Sequence, residues 1–268
     1  MSKVYHLDLS RKMLKGATLV LLPGDPFRTP KIAEEIRKRW GKPSVELAWK
    51  REYRSFLGDL KGKKVLITST GIGGPSTSIA IEELAQLGIQ TFLRVGTCGA
   101  IQQKMQIGDL VITTGSVRMD GASTHYAPVE YPAVAHPDVL FALIEAARLH
   151  EWEEGIRTHV GITASSDTFY PGEERTDGYS TYILRRLRGI TEEMRRLQVL
   201  NFEMESATLL TQCAALGLRA GVLTGVVNRR RKKGEEKVTP ERLRAGEENV
   251  IRVGLTAADL LLSSEKAR

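Results

Sequence analysis

Residues 65–96 read VLITSTGIGGPSTSIAIEELAQLGIQTFLRVG. An apolar, β-branched run (65–70) ends in serine, threonine and glycine. A helical pattern follows over 75–87, then a second apolar run over 91–96. Strand, helix and strand in that order predict an α/β unit, in which helices cover a largely buried sheet. The same alternation extends outward in both directions. Further strands are expected at 17–22, 109–115, 159–165, 200–205 and 220–227, and further helices at 29–40, 137–152, 182–197, 206–216 and 239–263. No internal repeat or long linker interrupts the pattern, so 1–268 reads as a single α/β domain with helices on both faces of its sheet. Such folds bind ligands beyond the carboxyl ends of their strands. Function is therefore sought in the segments that follow each strand.

Composition sets the outer bounds. Of 268 residues, 41% are hydrophobic and 26% charged, the balance of a soluble globular protein. No apolar run approaches a membrane span and no signal-peptide core opens the chain, so no membrane partner and a cytoplasmic location are expected. The two cysteines, Cys98 and Cys213, cannot form a disulfide framework and have no metal-type spacing. The net charge of +7 allows a nucleic acid but suits a small anionic substrate equally well. The densest basic run, NRRRKKGEEK at 228–237, has no interleaved aromatic residues. It reads as a solvated loop rather than a stacking platform for single strands.

The strand ends hold the unusual residues. PGDPFRTP at 23–30 sets Gly24 in a turn and Arg28 at the start of a helix. This is either an anion site or a plain turn with a surface arginine. STGIGGPSTS at 69–78 allows close backbone approach, but it is neither a Walker loop nor GxGxxG. In FLRVGTCGA at 92–100, Arg94 sits within an apolar strand and needs an anion or an ion-pair partner. Arg28, Arg94 and Thr97 can converge on one oxyanion. In ASSDTFYPGEERTD at 164–177, Phe169 can stack on a flat ring and Arg175 can donate to ring oxygens, around a turn at Pro171-Gly172. In NFEMESATLL at 201–210, Glu203 and Glu205 flank Met204 inside an apolar run. In an extended chain the two carboxylates share a face, and both need partners. A plainer role for the pair is to start the next helix and favour its N-terminal dipole.

PGDPFR, STGIGGPSTSIAIEELAQLG, FLRVGTCGAIQ, VRMDGASTHYAP, GITASSDTFYPGEER and NFEMESATLL occur in order, and together they resemble the uridine phosphorylase family of the nucleoside phosphorylase-I superfamily. The similarity runs from His6 to about Asn228. It implies a mixed central sheet flanked by helices, and reversible phosphorolysis of uridine, or of deoxyuridine or thymidine, to uracil and ribose 1-phosphate. It implies a phosphate site of Gly24, Arg28, Arg94 and Thr97, with Arg51 from a neighbouring subunit. The ribose site would be Glu203, Met204 and Glu205, with His6 from the neighbour. Phe169, Glu173, Arg175 and Arg229 would hold the base. Glu52, Ile72 and Ser76 match positions that hold a monovalent cation, often potassium, between subunits of some members. Phosphate is a co-substrate, no cofactor is essential, and the family usually assembles as a hexamer of three dimers. By the resemblance Arg94, Thr97, Glu205 and Arg175 carry catalysis: phosphate attacks C1′ while an arginine stabilises the departing base anion.

The chain departs from the family in three places. Glu173 stands where glutamine is usual, and a carboxylate can accept from a ring N–H but cannot donate. Cys98 replaces a threonine beside Thr97. The stretch before Asn228 is one residue short, which shifts the expected place of Arg229. Glu173 also suits guanine, which presents two adjacent donors, so a 6-oxopurine nucleoside phosphorylase is the alternative. Against it, the acid that such members carry near Asn228-Arg229 is missing. A water-using nucleosidase would not need Arg28, Arg51 and Arg94. A nucleic-acid-binding protein would leave Arg94 and the two glutamates unexplained.

Overall fold

A computed structural model describes residues 2–180, 182–230 and 238–264. The strand–helix–strand unit expected at 65–96 is β4 (Lys63–Thr68), α2 (Gly74–Gln86) and β5 (Thr91–Ala100). Before it lie β1 (Leu19–Leu22), α1 (Arg28–Trp40), β2 (Val45–Lys50) and β3 (Tyr53–Leu60). After it come β6 (Leu110–Met119), β7 (Ala133–Val134), α3 (Pro137–Glu154), β8 (Thr158–Ser166), α4 (Ile190–Arg196), β9 (Asn201–Glu203), α5 (Ser206–Ala215), β10 (Arg219–Arg229) and α6 (Pro240–Ser264).

The strands form one mixed sheet. β1 lies parallel between β4 and β5, and antiparallel β3 and β2 extend it to an edge. At the other end the sheet closes on itself. β5 pairs with both β10 and β9, and β10–β6–β8–β9 completes a ring with β5. β1, β4, β5 and β10 are buried on both faces, which is why they read as nearly continuous apolar runs. One face packs Ile32 and Ile36 of α1, Val139 and Leu143 of α3 and Val250 and Leu261 of α6. The other packs Ile81 and Leu84 of α2 with Leu209 and Leu210 of α5.

Two expectations need correction. The β2–β3 hairpin is absent from the strands expected above, because charged Glu46, Lys50, Arg54 and Asp59 break its apolar pattern. β2, at the sheet edge, keeps Glu46 and Lys50 near water, whereas β3 is buried along nearly all of its length; Glu46 holds Arg54 at 2.9 and 3.0 Å. The helix expected over 182–197 is instead a short 3-10 turn at Arg185–Leu187 followed by α4. The α4 start is set from outside: the Glu174 carboxylate accepts the N–H groups of Gly189 and Thr191. Among the described residues no helix is long and apolar enough to cross a membrane.

Candidate active site

The carboxyl ends of β1, β4, β5, β8, β9 and β10 surround a cavity of about 610 Å³. Gly24, Arg28, Arg94, Thr97, Phe169, Glu173, Glu203, Met204 and Glu205 all line it, as do Glu52 and Ile72.

Glu203 ends β9 and faces the first turn of α5. Its carboxylate accepts the N–H of Glu205 at 2.9 Å, the N–H of Ser206 at 3.0 Å and the Ser206 hydroxyl at 2.5 Å. The helix start thus gains the acceptor that its orphan N–H groups require. The plainer reading of the glutamate pair therefore holds for Glu203. Glu205 is held differently: it accepts the Gly73 N–H at 2.6 Å and pairs with Arg94 Nη2. Burial raises its carboxyl above the usual range; Arg94 works against that shift and the Glu203 charge adds to it.

Arg94 lies between the two carboxylates, with Nε 3.2 Å from Glu203. Its guanidinium folds back over Gly96, where a Cβ would stand 2.9 Å away, so a larger residue there would displace it. Among the described residues buried Nη1 has no hydrogen-bond partner, and a methyl group on Gly24 would stand 4.0 Å from it. A buried donor of this kind needs an acceptor. Thr97 lies further along the same strand, in the cavity wall. Arg28, at the start of α1, completes the cationic end. It donates from Nε to Glu247 at 3.0 Å and from Nη1 to the Val95 carbonyl at 3.2 Å. Burial lowers its pKa and Glu247 counters that. Glu247 also accepts Lys31 Nζ at 2.6 Å. It reaches Arg28 because α6 packs directly on β10. A Cβ on Gly225 would stand 2.2 Å from the Gly246 carbonyl oxygen, so no side chain fits between the two backbones.

Phe169, Phe202, Val227, Cys98 and Glu173 also line the cavity. Burial pushes the Cys98 thiol up to about 12, so it stays protonated and is a wall rather than a nucleophile. Two expected base contacts lie elsewhere. Arg175 does not line the cavity: it grips Asp177 at 3.0 and 2.7 Å, with its guanidinium 4.2 Å from the Phe169 ring centroid. Arg229 points away, to the Met105 carbonyl and Gln106 Oε1. The cause is a register shift in β10. Val226 pairs with Cys98 and Asn228 with Gly99, so Val227 is an extra residue in the strand. Side chains alternate beyond the shift. Asn228 lines the cavity and Arg229 faces outward. Arg230 comes back toward Glu173, with Nη1 3.7 Å from its carboxylate.

The residues expected to serve a neighbouring subunit lie outside the cavity wall. His6 donates its N–H to Glu83 at 2.8 Å and sets its ring Nδ1 2.7 Å from the same carboxylate. Arg51 sits exposed at the β2–β3 turn with φ 55°, an uncommon conformation for a residue with a side chain. Glu52 and Ser76 stand together, with the Ser76 hydroxyl 3.0 Å from Glu52 Oε1. Ile72 beside them is 77% exposed. The basic run expected as a solvated loop begins otherwise: Asn228 and Arg230 are buried at the end of β10 and beyond it, and the rest of the 229–233 cluster, Arg231 to Lys233, lies outside the described residues.

A family model for the phosphorylase superfamily matches residues 18–262. The chain belongs to that superfamily. Among its relatives is the uridine phosphorylase of Escherichia coli (strain K12), 51% identical over 261 residues, 97% of this chain and 99% of the relative. That of Thermococcus kodakarensis is 47% identical over 245 residues, 91% of this chain and 82% of the relative. The guanosine phosphorylase of Halorubrum lacusprofundi is 35% identical over 248 residues, 91% and 93% respectively.

Within this superfamily member, several groups that organise the cavity carry no clear signal in the sequence. Glu247, Asp177 and Arg230 act through Arg28, Arg175 and Glu173. Glu247 lies far along the chain from its partner, on a helix face where an acid looks like ordinary surface. Asp177 lies just past the Pro171-Gly172 turn, where no periodic pattern marks it. Arg230 is hidden in a run of like residues, where only the strand register decides which one turns inward.

Proposed function

We propose that the chain is a uridine phosphorylase, transferring the ribosyl group of uridine to phosphate. The observation that carries this is the pairing of Arg94 with Glu203 and Glu205, with one buried guanidinium donor left over toward Gly24. Two carboxylates beside a cationic recess fit a ribose whose hydroxyls face acid groups and whose C1′ faces a bound anion. Identity of about half over nearly the full chain to uridine phosphorylases supports the same reading.

Phosphate sits among Gly24, Arg28, Arg94 and Thr97. Glu205, with Met204 packed on the sugar, accepts the ribose hydroxyl protons, while Glu203 holds α5 and the Arg94 side chain in place. As the glycosidic bond stretches, the sugar gains positive charge and the phosphate dianion stabilises it. Electrons flow into the base, which rests against Phe169 and Phe202 with Glu173 at its edge. Arg175, held over the Phe169 ring, contributes positive charge from behind the stack.

The active unit is at least a dimer, and a hexamer of three dimers is the family's usual form. Exposed Phe27, Trp49 and Ile72 around the cavity mouth support burial by a second copy, which would bring His6 and Arg51 to the site. Glu52, Ser76 and the Ile72 segment present hard oxygen donors suited to potassium, which would fix that interface. The reaction belongs to nucleoside salvage in the cytoplasm.

The test is product release from uridine, deoxyuridine, thymidine, cytidine, inosine and guanosine, each with and without phosphate. Uridine is expected to be cleaved fastest, and only with phosphate or arsenate present. Equal turnover without either would make the enzyme a hydrolase. Faster cleavage of guanosine than of uridine would favour the 6-oxopurine alternative that Glu173 raises.

A further inference from the structure

On the reading that this cavity cleaves a uracil nucleoside, on which the role of Arg230 rests, Glu173 poses a problem. A carboxylate can only accept, and the base leaves with growing negative charge. Arg230 stands behind that carboxylate. It is buried, with Nη1 3.7 Å from Glu173 Oε2 and its guanidinium 5.4 Å from the Phe202 ring centroid. Its backbone is fixed at both ends: its N–H donates to the Ala100 carbonyl at 2.8 Å and its carbonyl accepts Arg195 Nη2 at 3.3 Å. Phe202 and Glu173 line the main cavity, whereas Arg230 lines a separate polar recess with Gln102, Gln103 and Gln106. The arginine therefore reaches the base through Glu173.

We propose that Arg230 is a positioning residue for Glu173, holding that side chain as a carboxylate aimed at the ring N–H of an imide-type base and offsetting its charge as the base departs. The substrate class follows from the lone pairs. A base with an N–H between two carbonyl groups meets a fitting acceptor. A base with a ring acceptor at that point, as in cytosine, meets a second acceptor and is refused. The pair does for this chain what a neutral amide does elsewhere in the family, by charge compensation instead of a donor.

Among the described residues, the other charged groups nearby have partners of their own. Arg175 is paired with Asp177, whose carboxyl is held below its usual range by the Arg175 hydrogen bond first, with a contribution from Arg230. Glu174 faces the start of α4. Glu203 and Glu205 share Arg94.

The test compares wild type, Arg230→Met, Arg230→Lys, Glu173→Gln and the Glu173→Gln/Arg230→Met double variant, with thermal unfolding as the check on folding. kcat/KM for uridine with phosphate is measured from about pH 5 to 9. Arg230→Met should lose roughly 10²-fold near neutral pH, as when one charge of a buried pair is removed. Its activity should fall further as pH rises through the pKa of Glu173, which loss of the neighbouring Arg230 charge should raise. Wild type and Arg230→Lys should lack that limb. In the Glu173→Gln background the loss should shrink to less than about fivefold, with no limb. Carboxyl ¹³C resonances provide a readout independent of turnover: the Glu173 signal, identified by its loss in Glu173→Gln, should titrate at higher pH in Arg230→Met than in wild type. If Arg230→Met does not fold, Arg230→Gln takes its place in both measurements. An unshifted Glu173 titration, or equal losses in the two backgrounds, overturns the pairing. Failure of wild type to cleave uridine with phosphate would instead sink the functional reading, and the carboxyl titration would still decide whether Arg230 holds Glu173.

Discussion

Glu247→Gln separates the two jobs of Arg28. In the folded chain Glu247 lies 3.0 Å from Arg28 Nε and Nη2 and 2.6 Å from Lys31 Nζ, and both Arg28 and Glu247 are almost fully buried. At an effective dielectric of about 20 and charge centres about 4 Å apart, the Arg28–Glu247 attraction is worth about 4 kcal/mol. Glutamine keeps one acceptor, so about 2 to 3 kcal/mol of that should be lost, partly as the cost of a buried guanidinium without its counter-ion. For a chain of this size the midpoint of thermal unfolding should drop by about 5 to 10 °C. The effect on phosphate has the opposite sign. Glu247 neutralises part of the Arg28 charge, so its loss should tighten phosphate binding, and phosphate should restore stability more in the variant than in wild type. The assay is differential scanning fluorimetry across a phosphate titration, with isothermal calorimetry for the affinity. An unchanged midpoint together with an unchanged phosphate response would refute the claim that Glu247 sets the charge at the anion end of the cavity.

Arg94→Ala should lower kcat for uridine by roughly two to three powers of ten, the usual loss for one oxyanion-type donor; steady-state kinetics showing less than a tenfold loss would remove Arg94 from the phosphate site. If the site is shared between subunits as proposed, inactive Arg51→Ala and Arg94→Ala proteins should regain activity when their subunits exchange, because a mixed dimer would contain one intact site; exchange proven by mass spectrometry without recovery would place Arg51 outside the active site. Asp59, which accepts Lys64 at 2.8 Å and the Gly62 N–H at 2.6 Å, has its carboxyl lowered to about 2. The folded value is depressed, so its stabilisation is full above the unfolded pKa of about 3.9 and fades as pH falls toward about 2. Discounted for solvent screening, Asp59→Asn should cost about 1 kcal/mol near neutral pH, and denaturant unfolding should show the gap from wild type closing below about pH 4.

Much of this protein is legible in the sequence because burial writes itself as pattern. The strands that run through the middle of the sheet appear as apolar runs, and the helices over 75–87 and 137–152 appear through their spacing. The charged residues that stand out against those runs, Arg94, Glu203 and Glu205, are the ones that meet in the cavity. The β2–β3 hairpin escapes notice because β2 lies at a wet edge and β3, though buried, carries Arg54, Ser55 and Asp59 among its apolar residues. Arg229 is misplaced for a different reason. Along a strand, one extra residue exchanges inside for outside, and Val227 leaves no mark in composition or periodicity. Glu247 is silent because a partner supplied by the last helix is visible only once α6 is laid across β10.

The closure of β5, β10, β6, β8 and β9 into a ring bears on how the chain is made. β10 must lie between β5 and β6, and its pairing of Arg219 with Thr91 joins opposite halves of the chain. During synthesis β1, α1 and the strands through β5 emerge long before that partner exists. Until β10 arrives, β5 and β6 present open edges, and the cavity lacks the wall that carries Asn228. Closing so large a loop before any native contact rewards it makes this a late and slow step. A nascent chain stalled before β10 would expose those edges to other chains. Truncations that remove β10 should therefore aggregate rather than yield a smaller folded core.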